Sequence, residues 1–165
     1  MIKFFDADVY AFDPTPKSIE WVKHQDTPDK FHFYPVGLDA VDGKKNFHLP
    51  SNEDYVFGSV HQYGGVKEDC IEFEMKCLRT VMDELGHDHV DILKMDIEGS
   101  EFDVIPEILK MDCEISQICM ETHARFFSDG RNKMKDLIGS MNSKGYFVAA
   151  ISDDTEVMTF IKRVG

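Results

Sequence analysis

The sequence predicts an α/β fold built around a mostly parallel central sheet. Short apolar runs with the period of a strand alternate along the chain with segments that have the period of a helix. This pattern is typical of βα units. One late run, "HVDILKMDI" (89–97), is apolar at both odd and even positions. A strand covered by helices on both faces has this composition, so we expect residues 89–97 to be buried on both sides.

The first third of the chain predicts a strand, a helix and a second strand. "DVYAFD" (8–13) alternates apolar residues and ends at an acid followed by proline, as a strand does when it stops at a turn. Residues 17–25 form the helix, with Trp21 on its apolar face and a proline just before it in the first turn. "KFHFYPVGL" (30–38) is the second strand, with its apolar residues expected to be buried.

Residues 42–65 differ in composition from the segments before them. The segment contains four glycines, as a hairpin excursion would: Gly43, Gly58, Gly64 and Gly65. "CIEFEMKC" (70–77) alternates cleanly and predicts another strand. Residues 78–87 then predict an amphipathic helix that ends at Gly86.

The second half of the chain predicts four strands and two helices. The first helix is expected to begin near Ser100 and to be interrupted or bent near Pro106. The second occupies residues 130–145 and is expected to end at Gly145. The strands are residues 89–97, 115–123, 146–152 and 156–163.

Composition excludes several classes of protein. The 165 residues suit one domain, residues 1–165, with enough apolar content to build a core. A formal charge of −13, from 31 acidic and 18 basic residues, argues against nucleic acid or an anionic membrane as partner. Apolar runs fall short of the roughly 20 residues that a membrane span requires. The four cysteines form no C-x-x-C pair, so free thiols are expected rather than a zinc or redox site.

Polar residues stand where four predicted strands end, and ligands of open α/β sheets bind at the carboxyl ends of strands. These residues are Asp13; Gly37, Leu38 and Asp39; Asp96 and Glu98; and Glu121 and His123. A carboxylate at Asp13 could accept hydrogen bonds from both hydroxyls of a ribose, and Gly37 would let a ring approach closely. The alternative for Asp13 is a turn or helix-cap acid.

Four segments carry a resemblance to a known family. "VYAFDPTP", "VGL", "VDILKMDIEGSE" and "ICMETHA" look like successive blocks of the FkbM-family methyltransferase domain, a class I S-adenosylmethionine-dependent methyltransferase. The likeness is closest to its methyltransferase-like animal branch, in which "LGH" precedes the Lys-x-Asp-x-Glu-Gly block. It runs from about Asp8 to the last strand and implies a Rossmann-like, three-layer sandwich with an antiparallel last strand.

The resemblance implies a set of residues for the cofactor S-adenosylmethionine. Asp13, with Pro14 beside it, would hold the ribose hydroxyls. Gly37 and Leu38 would lie near the adenine. Asp96 would face both the methyl donor and the acceptor.

The resemblance also implies an acceptor side formed by Glu98, Glu121 and His123, together with Asp96. Glu121 or His123 would serve as general base, because methyl transfer to oxygen is faster when the acceptor proton is removed as the bond forms. Alternatively, these four residues could hold a divalent cation that acidifies the acceptor hydroxyl. Both possibilities remain open from the sequence.

The stretch "DILKMDIEGSE" (91–101) places charges among Ile, Leu and Met, which is costly unless the charges are paired or do chemistry. With the resemblance, we interpret Asp96 and Glu98 as functional. We interpret Lys94 as the partner of a carboxylate, and Glu101 as an acid favoured by the first turn of the following helix.

The function predicted in this way is O-methylation of a small molecule or a glycan, with S-adenosylmethionine as donor and without nucleic acid or membrane as partner. Two other functions are considered. The first is a non-catalytic methyltransferase-fold module for binding or assembly. The second is a carboxylate-based metal hydrolase that uses the same four strand-end residues.

The family pattern begins earlier than this sequence does. A methyltransferase of this class has a first strand and a glycine-rich loop before the ribose acid, whereas here no glycine precedes Gly37 and twelve residues precede Asp13. We therefore expect a domain that is incomplete at its N-terminus and holds the cofactor weakly. The first strand of the family would lie between the strands that end at Asp13 and at Asp96, leaving both without a shared neighbour.

Overall fold

The computed structural model describes residues 1–50 and 66–163 and has a mixed α/β architecture. The helices are α1 (Ile2–Phe5), α2 (Pro16–Lys23), α3 (Leu78–Leu85), α4 (Glu101–Ile108) and α5 (Gly130–Ser143), with a short 3₁₀ turn at Ala124–Phe126. The strands are β1 (Val9–Phe12), β2 (Phe31–Tyr34), β3 (Gly37–Leu38), β4 (Gly43–Pro50), β5 (Val66–Lys76), β6 (His89–Met95), β7 (Glu114–Glu121), β8 (Tyr146–Ile151) and β9 (Val157–Lys162). The alternation of strands and helices agrees with the α/β prediction.

The described strands form three sheets rather than the single sheet expected from the sequence. Strands β1 and β2 pair in parallel. Strand β5 lies between β3, its parallel neighbour, and β4, its antiparallel neighbour. The third sheet has the order β6-β7-β9-β8, with β6 and β7 parallel and β9 antiparallel to both of its neighbours. The last strand is therefore antiparallel, as predicted, but parallel pairs do not predominate among the described strands.

The predicted strand at residues 30–38 is wrong as one element. It divides at Pro35 into β2 and β3, which belong to different sheets. Proline has no N–H for the ladder, so it interrupts the pairing of a strand. The antiparallel pair of β4 and β5 agrees with the hairpin excursion, while the expected turn glycines Gly58, Gly64 and Gly65 lie outside the described residues.

The prediction that residues 89–97 are buried on both faces is wrong. Only Met95 is fully buried along β6, and Ile92 is 42 % exposed. Among the described strands, β6 pairs with β7 alone, and β1 pairs with β2 alone. Each of these parallel strands thus has one edge without a described neighbour, which explains why an apolar strand is partly exposed to solvent.

The helices follow the predicted order with shorter bounds. α3 ends before Gly86, as expected, and α4 runs through Pro106 into its last turn. We expected α2 to bury an apolar face, but none of its residues is buried and Trp21 is 61 % exposed.

None of the helices in the described ranges combines the length and the apolar character needed to cross a bilayer. Cys77, Cys113 and Cys119 are free thiols.

The core lies between the β6-β7-β9-β8 sheet and helices α3, α4 and α5. Its most buried members include Ile105 from α4, Ile118 from β7, Met141 from α5 and Phe160 from β9, each with a relative exposure of 0 %. Because alternate residues of β7 and β9 are buried in this core, the end of β7 is anchored to it. This anchoring positions the side chains at the carboxyl ends of β6 and β7.

Tyr146, at the start of β8, has a buried hydroxyl group whose contribution to the stability of this core can be measured. The buried hydroxyl donates a hydrogen bond of 2.8 Å to the carbonyl of Ile115, and burial raises the pKa of Tyr146 to about 12. Tyr146→Phe is expected to lower the free energy of unfolding by about 0.5–1.5 kcal/mol at neutral pH. The unfolded tyrosine ionises near its ordinary pKa of 10, whereas the folded one does not, so the wild type loses stability as pH rises from 10 to 12.

The measurement is denaturant unfolding of the wild type and Tyr146→Phe at pH 7 and at pH 11, with Tyr34→Phe on β2 as control. Tyr146→Phe lacks the ionisable hydroxyl, so the stability gap between it and the wild type should narrow at pH 11. If the difference in the free energy of unfolding between the two proteins were the same at pH 7 and pH 11, ionisation of Tyr146 would not be the cause of the stability lost at alkaline pH.

Candidate active site

Two neighbouring strands end at the same place and bring four predicted site residues together. β6 and β7 are parallel and pair up to Met95 and Met120, so the residues that follow stand side by side. Asp96 comes directly after β6, and Glu121 is the last residue of β7. The chain then continues to Glu98 on one side and His123 on the other.

His123 is the centre of this cluster. Its side chain is 1 % exposed, and its Nε2 lies 3.3 Å from Oε2 of Glu98, 3.7 Å from Oε1 of Glu121 and 3.8 Å from Oδ1 of Asp96. The three carboxylates differ in access to solvent, with side-chain exposures of 16 % for Glu98, 30 % for Glu121 and 44 % for Asp96. The site is therefore a buried imidazole with three carboxylates between it and the solvent.

Glu101 is a member of the cluster that the sequence did not reveal. It does lie in the first turn of α4, as expected, but its side chain is fully buried and its Oε1 is 2.9 Å from Nδ1 of His123. Asp103 occupies the same helical turn and is exposed. The position of Glu101 in the sequence, after a polar turn, is that of an ordinary N-terminal helix acid. Only the packing of α4 against the end of β7 distinguishes it.

The turn between β6 and α4 orients Glu98 toward His123. Glu98 has a φ of 53° and Gly99 a φ of 102°, so two consecutive residues adopt the left-handed region. Glycine accepts this conformation without steric cost, whereas a residue with a side chain adopts it at a cost of about 1–2 kcal/mol. The turn persists because hydrogen bonds hold it, and it places the Glu98 carboxylate against the buried ring.

The surroundings of His123 favour its charged form. Burial lowers the pKa of His123, but the hydrogen bond that the ring donates to Glu101 and the charges of Glu101 and Glu98 outweigh burial, so the pKa is raised above 6.5. The positive charge of Arg125 acts in the opposite direction. The imidazolium thus persists to higher pH than in a free histidine and compensates the surrounding carboxylates.

Three of the residues have a geometry that could also hold a metal ion. Asp96, Glu98 and His123 each offer one ligand atom, and these atoms lie within 4.8 Å of one another. Carboxylate oxygens and an imidazole nitrogen suit divalent cations such as Mn²⁺ and Zn²⁺.

The residues predicted for the cofactor form a second group, at the ends of β1 and β3. Oδ1 of Asp13 accepts hydrogen bonds from the backbone N–H of Thr15 (2.8 Å) and from its hydroxyl (2.6 Å). Pro14 and Gly37 are both buried and adjacent, because a Cβ at Gly37 would lie 3.3 Å from the Cγ of Pro14. That Cβ would also lie 2.5 Å from the side chain of Met75, which fills the space beside the glycine.

Leu38, the last of the cofactor candidates, is partly buried against the core. Within the described residues, no hydrogen bond or ion pair joins Asp13 to the His123 cluster. Asp39, which follows β3, is 2 % exposed, and its Oδ2 forms an ion pair with the ammonium of Lys45 at 2.5 Å. Lys94 is exposed and has no ion pair in the described part of the chain, so the expected pairing with a carboxylate is not found.

Comparison with known proteins identifies the family. The model of the family described as the Methyltransferase FkbM domain matches residues 6–148, which include both β1 with Asp13 and the His123 cluster. Neither the curated proteins nor the solved structures that were compared give a match. The family match spans most of the chain and confirms the resemblance carried by the four sequence segments. The chain belongs to the FkbM methyltransferase domain family.

Proposed function

We propose that this protein is an S-adenosylmethionine-dependent O-methyltransferase whose acceptor is a small molecule or a glycan. The observation that carries the proposal is the group of carboxylates around His123, at the paired ends of β6 and β7, in a chain of the FkbM family. Carboxylates at the mouth of a site can accept the proton that an acceptor hydroxyl loses during methylation.

Glu121 is the residue best placed to take that proton. His123 is nearly inaccessible, its Nδ1 is hydrogen-bonded to Glu101, and its Nε2 faces three carboxylates, so it has little capacity to act as a base. Glu121 is 30 % exposed, and its Oε1 lies 3.7 Å from Nε2 of His123, so its carboxylate is open to an acceptor. In the proposed reaction the acceptor oxygen bonds to the methyl carbon, the carbon–sulfur bond breaks toward sulfur, and the hydroxyl proton passes to Glu121.

The cofactor would be held at the other strand end. Oδ1 of Asp13 is occupied by Thr15, but Oδ2 has no partner among the described residues, and the side chain is only half-buried. One carboxylate oxygen thus remains to accept a hydrogen bond from a ribose hydroxyl, so the residue fits the cofactor. S-adenosylmethionine, when bound, supplies an electrophilic methyl group on a sulfonium. We propose Pro14, Gly37 and Leu38 as its further neighbours.

A cleft beside the cluster could admit a hydroxyl-bearing acceptor. It has a volume of about 400 Å³, and its lining combines the polar Thr122, Arg125 and Glu156 with apolar side chains such as Ile138 and Met158. Arg125 lies 4.0 Å from Glu121 and 2.6 Å from Glu156, so it connects the cleft to the proposed base. Side chains of this kind can hydrogen-bond to several hydroxyls of one acceptor.

We further propose that the sheets form parts of one Rossmann-like, three-layer arrangement. The parallel pairs β1–β2 and β6–β7, together with membership of the FkbM family, support it. In such a sheet Asp13 and Asp96 would stand at the same carboxyl edge, where α/β proteins bind their ligands. The donor and the acceptor would then meet above Asp96.

The test is cofactor binding by the intact protein, measured by calorimetry, in the wild type and in Asp13→Asn. Asparagine keeps an oxygen for the hydrogen bonds from Thr15, so the turn should survive, but it removes the charge and one acceptor. We expect S-adenosylmethionine to bind at least about tenfold more weakly, a loss of ~1.4 kcal/mol.

Asp26→Asn, which removes a charge from an exposed position after α2, is the matched control and should bind like the wild type. Equal affinity of Asp13→Asn and Asp26→Asn would refute the ribose role of Asp13. An intact protein that neither binds S-adenosylmethionine nor transfers its methyl group would overturn the proposed function and favour a non-catalytic module.

A further inference from the structure

We propose that Glu101 is a positioning residue that holds His123 and the 97–99 turn in one arrangement. Through it, the ends of β6 and β7 act as a single site, with the carboxylates of Asp96, Glu98 and Glu121 facing Nε2 of His123. The catalytic meaning of this arrangement rests on the proposed methyltransferase function. The arrangement itself can be tested without any methyl transfer.

The hydrogen bonds of Glu101 come from two different parts of the site. Its Oε1 accepts from the N–H of Ile97 (3.1 Å) and faces Nδ1 of His123 (2.9 Å), while its Oε2 accepts from the N–H of Gly99 (3.0 Å). Glu101 is 0 % exposed. A buried carboxylate is costly unless its oxygens are hydrogen-bonded, and here three donors converge on both oxygens.

The two backbone bonds explain how the turn keeps its shape. They come from the residues on either side of Glu98, whose own φ of 53° is unfavourable for a side chain. Because Glu101 anchors both flanking N–H groups, the backbone of Glu98 is held in the left-handed region. Its carboxylate therefore stays beside the ring, 3.3 Å from Nε2.

The contact between Oε1 of Glu101 and Nδ1 of His123 determines which ring nitrogen faces the other carboxylates. An ionised carboxylate only accepts hydrogen bonds, so Nδ1 of His123 must carry the proton that it shares with Glu101. Nε2 is then the nitrogen directed at Asp96, Glu98 and Glu121. Without Glu101 the ring could flip, and the carboxylates would lose a fixed neighbour.

A role limited to the helix N-terminus does not explain these contacts. Asp103 lies in the same first turn of α4, carries the same charge and is exposed. Favourable interaction with the helix dipole is available to both acids. Of the two, Glu101 is the one that meets Nδ1 of His123, so Asp103 provides a matched control.

The experiment is nitrogen-15 NMR of the His123 ring in the intact protein, with and without the Glu101→Gln substitution. In the wild type we expect a proton on Nδ1 that exchanges slowly with water. A glutamine amide offers one oxygen instead of two and turns an N–H toward a backbone N–H, so at least one of the three contacts is lost. We expect the Nδ1 proton signal of Glu101→Gln to shift or to exchange fast, and that of Asp103→Asn to stay unchanged.

Methyl transfer supplies the second readout. Glu101→Gln should lower kcat at least about tenfold, as loss of an orienting carboxylate does in other active sites, with little change in the KM for S-adenosylmethionine. A wild-type ring without a proton on Nδ1 would overturn the proposal, even if Glu101→Gln failed to fold. The proposal would also be overturned if Glu101→Gln had the same His123 ring signals and the same kcat as Asp103→Asn. If the wild type has no methyltransferase activity, the proposed function fails, and the ring signals alone decide the role of Glu101.

Discussion

Replacing Glu121 with glutamine is expected to lower the rate of methyl transfer by about 10²- to 10⁴-fold, the range found when a general base is removed. Glutamine has the shape of glutamate but cannot take a proton from the acceptor hydroxyl. The Glu121 side chain is 30 % exposed and makes no buried hydrogen bond within the described ranges, so the fold should persist. The measurement is steady-state kinetics together with the melting temperature of the variant.

The matched control is Glu114→Gln, at the other end of β7. Glu114 is an exposed glutamate on the same strand, beside His89 of β6 and away from the His123 cluster. Its substitution should leave kcat near the wild-type value. A Glu121→Gln enzyme with kcat within about threefold of this control, a difference below ~1 kcal/mol, would show that Glu121 is not the base.

Replacing Phe160 with alanine is expected to lower the free energy of unfolding by about 3–5 kcal/mol. Phe160 lies on β9 between Ile118 of β7 and Val148 of β8, and its side chain is 0 % exposed. Alanine would leave a cavity in the middle of the sheet that supports the end of β7. Because domains of this size are stable by only about 5–15 kcal/mol, denaturant unfolding should show a large shift of the midpoint.

Phe147→Ala on the neighbouring strand β8 is the control for this loss. Phe147 is 38 % exposed, so removing its ring exposes less new apolar surface and creates no closed cavity. Its effect should be clearly smaller than that of Phe160→Ala. Similar losses for the two variants would mean that the core is not centred on the sheet formed by β6, β7, β9 and β8.

The sequence by itself determined the order of the elements and the family. Alternation in residues 8–13 and in residues 146–163 predicted strands that the structure confirms, because local periodicity reflects which face of a strand is buried. The segment "VDILKMDIEGSE" also identified the FkbM family, which the match over residues 6–148 confirms. Asp96, Glu98, Glu121 and His123 were named because they follow strands, and they do lie together.

Only the tertiary structure decided how the strands associate and which acids are buried. Pairing depends on contacts between residues distant in the sequence, so the exposure of Ile92 on β6 was not foreseen from its apolar neighbours. Glu101 and Asp103 are equivalent as first-turn acids of α4, yet Glu101 is buried against His123 and Asp103 is exposed. The difference arises because the packing of α4 against the end of β7 turns one acid inward, and no local pattern records that packing.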